Sequence, residues 1–130
     1  MSNVSPELTP AQRWFRLAEE DLVAAAILLN EGSAALRISA FLAQQAAEKA
    51  LKAGLFAIEV AVPKIHGLHQ LLASYPRDAP VIDIDDLDIL DPWVIDGRYA
   101  ADLPDLGVVE AHRLVDAAKR VVDEVRHLVS

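Results

Sequence analysis

The chain has 130 residues, of which 53% are hydrophobic, and it carries a formal net charge of −8 and no cysteine. The absence of cysteine excludes a disulfide framework and a zinc–cysteine site. The N-terminal residues lack the features of a signal peptide and no apolar run has the length of a membrane span, so we expect a cytoplasmic protein that does not bind membranes.

The first helix is predicted to start at a capping box formed by Thr9 and Gln12, with a proline at the first helical position. Residues 30–32 suit the turn that ends this helix. Ser33 is expected to cap the next helix.

The central helix is predicted over residues 34–60. At 100° per residue its polar side chains fall within one sector, whereas alanine and aliphatic residues cover the remaining circumference. Such a helix must be buried on most sides, so the polar stripe is expected to face a groove, a partner or solvent. The stripe contains Arg37, Gln44, Gln45, Glu48, Lys49, Lys52 and Glu59.

Shorter elements follow the central helix. A short third helix is predicted to end near Tyr75, and Asp85 or Asp86 is expected to cap a helical turn. A second turn is predicted at Asp91, which precedes a proline, and a long amphipathic helix is predicted from about Asp105.

Together these elements predict an all-α fold, namely an antiparallel four-helix up-and-down bundle with an additional short helical turn. Residues 1–8 are predicted to form a flexible tail. Residues 9–130 are predicted to form a single domain, because the chain contains no internal repeat and no long low-complexity tract.

The negative charge is concentrated in residues 78–105, which contain nine aspartates and one cation, Arg98, so the rest of the chain is neutral. Because proteins bind duplex DNA by neutralising its phosphates, we expect no binding to duplex DNA. The run from Asp83 to Asp88 lacks the glycine and the terminal glutamate of a calcium loop, and no metal or other cofactor is predicted. This run is either a solvated linker or a docking surface for a basic partner.

Residues 44–53, QQAAEKALKA, resemble the HEPN family when they are taken together with Asp21–Leu22, His66–Gly67–Leu68 and Arg98–Tyr99. The similarity extends from about residue 14 to residue 126. It implies four main helices and often a homodimer. It also implies an association with minimal nucleotidyltransferases, with nucleotide binding or with toxin–antitoxin modules.

Many HEPN members are ribonucleases that use an arginine and a histidine with four to six residues between them. No such histidine follows Arg98, and Ala100 stands where a related branch has the proline of an Arg-Tyr-Pro sequence. Arg120 and His127 have a matching spacing, but they lie at the end of the last helix, where the family does not place its motif. Basic groups there suit the helix macrodipole. The sequence therefore leans away from an enzyme.

Seven residues are candidates for a surface that binds a ligand or a partner. Cations at helical spacing can contact several phosphate oxygens, or they can form a solvated face with ordinary ion pairs. The histidine is either a proton carrier or a cap for backbone groups, and the tyrosine either stacks on a base or packs. The candidates are Arg37, Gln45, Lys49, Lys52, His66, Arg98 and Tyr99.

The favoured function is an accessory one, in which a homodimer binds a nucleotide or a minimal nucleotidyltransferase, within or outside a toxin–antitoxin module. The alternative is a metal-independent ribonuclease that acts on single-stranded RNA through Arg98 and His66. A third alternative is a purely structural dimeric interaction module.

Overall fold

The computed structural model describes residues 7–76, 80–94 and 105–130, and it contains only helices and connecting segments in these ranges. The all-α prediction is therefore confirmed. The helices are α1 (Pro10–Leu28), α2 (Leu36–Ala57), α3 (Leu68–Ala73), α4 (Ile84–Leu90) and α5 (Val108–Val129), with 3₁₀ turns at Ser33–Ala35 and Asp91–Trp93.

The three long helices have the directions expected of an up-and-down bundle. α1 is antiparallel to α5, because the start of α1 (residues 9–12) and the end of α5 (residues 128–130) line the same groove. α2 and α5 run in the same direction, since the side chains of Arg37 and Asp105 meet near their starts. The segment that carries α3 and α4 brings the chain back between them, in the position of the third helix of the bundle.

The core of the bundle is built around the alanines of α2. Alanine favours the helical conformation, and its small side chain lets α1 and α5 approach the α2 backbone closely. Six of these alanines are completely buried, and larger aliphatic residues fill the space around them. The alanines are Ala40, Ala43, Ala46, Ala47, Ala50 and Ala53, and the largest neighbours are Leu51, Leu55, Leu68, Leu71, Leu87, Leu90, Val121, Val122 and Val125.

The capping box of α1 is confirmed, because the Gln12 backbone N–H donates to Thr9 Oγ1 at 3.1 Å and the Thr9 N–H donates to Gln12 Oε1 at 3.0 Å. The expected cap at Ser33 is wrong. Ser33 begins a 3₁₀ turn without a side-chain cap, and α2 starts three residues later. The cap of α4 is Asp83, whose carboxylate accepts from the Asp85 N–H, rather than Asp85 or Asp86.

The last helix begins at Val108, so the predicted start near Asp105 is three residues early. The prediction of a tail over 1–8 and of a single domain over 9–130 stays a prediction, with residues 1–6 outside the described ranges. In those ranges, no helix combines the length and the apolar character needed to span a membrane.

The central helix ends at Ala57, three residues before the predicted end, because the chain reverses at Glu59. Glu59 has a φ of 60°, and the N–H groups of Glu59 and Val60 donate to the carbonyls of Phe56 and Leu55. This pattern is a Schellman motif, which is usually built on glycine. The reversal could not be predicted from the sequence, because a glutamate occupies the left-handed position.

Gly54 is required in α2 by the close approach of a buried tyrosine. The Tyr75 hydroxyl donates to the Leu51 carbonyl, and a Cβ at position 54 would overlap this hydroxyl and touch Val125. Burial raises the pKa of Tyr75 well above its ordinary value, so the phenol remains a neutral donor.

We expect Gly54→Ala to lower the free energy of unfolding by about 1–3 kcal/mol, the usual cost of overpacking, despite the better helix propensity of alanine. Urea denaturation of the single and double variants measures this effect. Adding Tyr75→Phe, which removes the hydroxyl, should recover part of the loss. Additive losses in the double variant would contradict the steric explanation.

Candidate functional site

A buried carboxylate, Glu48, is the centre of the polar stripe on α2. Its Oε2 accepts a hydrogen bond from Lys52 Nζ at 3.2 Å and lies 3.3 Å from His66 Nδ1. Its Oε1 accepts a weaker hydrogen bond from Gln44 Nε2 at 3.4 Å. Gln44, Glu48, Lys52 and His66 are called the Glu48 cluster below. In this cluster the Glu48 carboxylate contacts both Lys52, a predicted binding cation, and His66, a predicted proton carrier.

Gln44 holds the loop that carries His66 against α2. Its side chain is completely buried, and its Nε2 also donates to the His66 backbone carbonyl at 3.3 Å. Its Oε1 accepts from Gln45 Nε2 at 2.8 Å. Because both ends of the buried amide are satisfied, the amide fixes the position of His66 over the polar stripe.

Lys52 is enclosed by an anion and an aromatic ring. Its Nζ lies 5.6 Å from the centroid of the Trp14 ring, and its side chain is only 10% exposed. Trp14 in turn stacks against Phe56 with 6.2 Å between the ring centroids. The ammonium is therefore stabilised by Glu48 and by the indole rather than by water.

Lys49 forms a second ion pair, which joins α2 to α1. Its Nζ lies 2.6 Å from Asp21 Oδ2, and both side chains are mostly buried. Neighbouring residues on a helix point about 100° apart, so Lys49 is directed away from Glu48 and toward α1. This short, charge-assisted contact fixes the pairing of the two helices.

Arg37 does not belong to the Glu48 cluster. It precedes Lys52 by fifteen residues, which corresponds to about 22 Å along the helix axis, and it forms an ion pair with Asp105 at 2.9 Å. Arg98 and Tyr99 lie outside the described ranges. The structure therefore brings Lys52 and His66 together, places Gln45 and Lys49 beside them, and separates Arg37 from Lys52.

Sequence reasoning missed a second polar centre at Asp86, in the aspartate run. Its carboxylate accepts two hydrogen bonds from Arg120, at 2.9 and 2.8 Å, and it is almost completely buried. These hydrogen bonds, together with the charges of Asp86, Asp116 and Asp83, raise the pKa of Arg120. The two residues are 34 positions apart, so no local pattern could reveal the pair. Arg120, which matched the ribonuclease spacing, is thus engaged in holding α4 to α5.

The buried side-chain polar groups of the described residues are all hydrogen-bonded within the chain. No buried side-chain nitrogen or oxygen among them lacks a hydrogen-bond partner. Nor do these residues contain a group of three or more histidine, cysteine or acidic side chains that could hold a metal ion. A ligand at the Glu48 cluster would therefore have to exchange hydrogen bonds that the protein already makes.

We expect Glu48→Gln to lower the free energy of unfolding by about 3 kcal/mol, because it leaves the Lys52 ammonium buried without its counter-charge. The matched control is Glu20→Gln, which breaks the exposed pair with Arg16 at the same four-residue spacing. This control should cost less than about 0.5 kcal/mol. Urea denaturation compares the two variants, and equal losses would contradict the special role of Glu48.

The chain is similar to a known domain family and to solved structures. A model of the HEPN domain matches residues 11–128. The crystal structure of TT1696 from Thermus thermophilus is 30% identical, with a TM-score of 0.78, over 91% of this chain and 97% of that chain.

The crystal structure of ST0689, an archaeal HEPN homologue, is 23% identical, with a TM-score of 0.68, over 95% of this chain and 100% of that chain. This second match supports the fold alone. No curated protein matches the chain significantly. The family match covers α1 to α5, including the Glu48 cluster, and we conclude that the chain belongs to the HEPN family.

Proposed function

We propose that this HEPN protein is an accessory module that binds a protein partner through the exposed side of α1 and α2. The partner class favoured by the family resemblance is a minimal nucleotidyltransferase. The observation that carries the proposal is the composition of this surface, where exposed apolar side chains lie along the two helices on either side of an ion pair.

The surface, called the α1–α2 face, contains Leu17, Asp21, Ile38, Lys49 and Phe56. The Asp21–Lys49 pair joins the two helices at its centre, and the helical period places Leu17 on the side of Asp21, and Ile38 and Phe56 on the side of Lys49. The three apolar residues are 43%, 54% and 36% exposed. Exposed apolar groups mixed with paired charges are typical of sites that bind proteins.

The ion pairs support a protein partner more than a nucleotide. Lys49 is paired with Asp21 and Lys52 with Glu48, and Arg37 is paired with Asp105. A phosphate group would have to compete with a carboxylate for each of these cations. A nucleotide or single-stranded RNA is therefore the weaker of the predicted ligands.

The family resemblance also implies a homodimer, and a second copy of the chain is the competing occupant of the α1–α2 face. If the chain functions in a toxin–antitoxin module, the same face would hold the cognate partner. These occupants differ in one measurable respect, because only a second copy changes the mass of the purified chain in solution.

We expect the chain to co-purify with a minimal nucleotidyltransferase encoded beside its gene, and Ile38→Glu to weaken this complex at least about tenfold, because it buries a charge in the contact. Val109→Glu is the matched control, since Val109 is 57% exposed on α5 and lies outside the face. Co-expression followed by titration calorimetry measures both affinities.

Two results would contradict this proposal. The first is a heat-stability shift with ATP or another nucleotide that Lys49→Ala removes, which would assign the surface to a nucleotide. The second is a dimer of the purified chain that Ile38→Glu, but not Val109→Glu, converts to a monomer while the nucleotidyltransferase still binds. Light scattering measures the mass.

The contact between His66 and Glu48 favours a second candidate, the metal-independent ribonuclease. The His66 side chain is 49% exposed, while the carboxylate that its Nδ1 contacts is buried. A carboxylate that orients an imidazole leaves Nε2 able to take a proton from a ribose hydroxyl. In this candidate Glu48 is a positioning residue, Arg98 supplies the cation, and the chain is the toxin of a toxin–antitoxin module.

If the ribonuclease candidate is correct, single-stranded RNA is cleaved in the presence of EDTA, and His66→Ala lowers the rate by about 10²–10⁴, the usual contribution of a general base. His69→Ala is the control, because His69 is also partly exposed and contacts Asp88 at 2.8 Å. Gel electrophoresis of labelled RNA measures the rates. Absence of cleavage, or equal rates for both variants, removes this candidate.

A further inference from the structure

A groove of about 420 Å³ lies between the segment that leads into α4 and the C-terminal half of α5. Val81 and Ile82 form one wall, and α5 contributes Val121 and, one turn on, Glu124. The Asp86–Arg120 pair lies in the lining and therefore links the two walls of the groove.

The groove combines an apolar floor with an exposed apolar edge. Val121 is completely buried beneath it, whereas Val81 is 84% exposed, the highest value among the exposed large hydrophobic residues of the described ranges. The apolar groups of the lining that an aliphatic chain can contact are therefore Val81 and the partly buried Ile82.

Among the described residues, the rim of the groove carries a net negative charge. Asp86 is neutralised by Arg120, and Asp123 lies 3.2 Å from Arg126. Asp83 accepts the Asp85 backbone N–H at 2.9 Å, but neither Asp83 nor Glu124 forms an ion pair with another described residue. The described lining of the groove thus holds four carboxylates and one cation, Arg120, on which the charge of Asp83 also acts, so this lining is negative.

We propose that this groove binds an arginine or lysine side chain from a basic segment of a partner protein. Such side chains have an aliphatic stem that packs on apolar surface and a cationic head that remains at the edge. The stem would lie on Val81 and the partly buried Ile82, and the head would contact Asp83 and Glu124. Charge complementarity selects this occupant, because a nucleic acid or another anion is repelled by the same carboxylates.

This surface is separate from the α1–α2 face. It is formed by other elements, and it differs in charge, since the α1–α2 face is neutral and the groove is acidic. Loss of binding at one surface therefore does not predict loss at the other. Binding of a basic segment in the groove is therefore independent of the proposed nucleotidyltransferase partner.

The test uses the full chain and a fluorescently labelled peptide of alternating leucine and arginine, with anisotropy as the readout. The groove variant is Asp83→Asn combined with Glu124→Gln, in which asparagine preserves the helix cap. The control is Asp85→Asn combined with Glu110→Gln, which removes the same charge outside the groove. We expect the groove variant to weaken binding by about tenfold and the control to change it by less than about twofold.

A second peptide, with citrulline in place of arginine, keeps the stem and removes the charge, and it should bind about tenfold more weakly to the unmodified chain. Three results would overturn the inference. They are no binding of the arginine peptide to the unmodified chain, equal weakening by the groove and control variants, and self-association of the chain that only the groove variant abolishes. The last result would assign the groove to a second copy.

Discussion

The burial of α2 on nearly all sides is the constraint on which the rest of the structure depends. A buried helix cannot leave charged side chains without partners, because desolvation of an unpaired charge costs more than most single contacts contribute. Glu48 therefore contacts Lys52, His66 and Gln44 through its carboxylate, and Lys49 forms an ion pair with Asp21 of α1. Many polar groups of the stripe are therefore engaged in hydrogen bonds and ion pairs within the protein.

This internal pairing divides the molecule into two electrostatic regions. The α1–α2 face is neutral, since Asp21 and Lys49 are paired, and it exposes Leu17, Ile38 and Phe56. The described lining of the groove between α4 and α5 holds four carboxylates and one arginine, together with the exposed Val81. The two proposed sites therefore concern different partners, one recognised by apolar contact and the other by positive charge.

The elements that local sequence determines could be predicted. The capping box at Thr9 and the alanine-rich α2 follow from contacts within a few residues, so the helix start and the all-α class were accessible. The end of α2 was not, because the left-handed residue is Glu59 rather than a glycine. Such a conformation is stabilised by two backbone hydrogen bonds and by the packing of the following loop, which no local pattern reports.

The candidate site was only partly predictable for a related reason. Helical periodicity gives the angle of a side chain around the axis, but it does not say which groups lie at the same height. Arg37 and Lys52 therefore appeared together although about 22 Å of helix separates them. The links from Glu48 to His66 and from Asp86 to Arg120 join distant positions, and only tertiary packing brings them together.

The chain reversal at Glu59 determines how far the following loop extends back along α2. Only six residues lie between Glu59 and His66, so the length of this loop sets the position of the imidazole relative to the carboxylate of Glu48. A change in the length of this loop would move the imidazole along α2, and it would also displace Val60, Val62 and Ile65, which pack against the core. The contact between His66 and Glu48 is therefore coupled to the packing of the loop on the bundle.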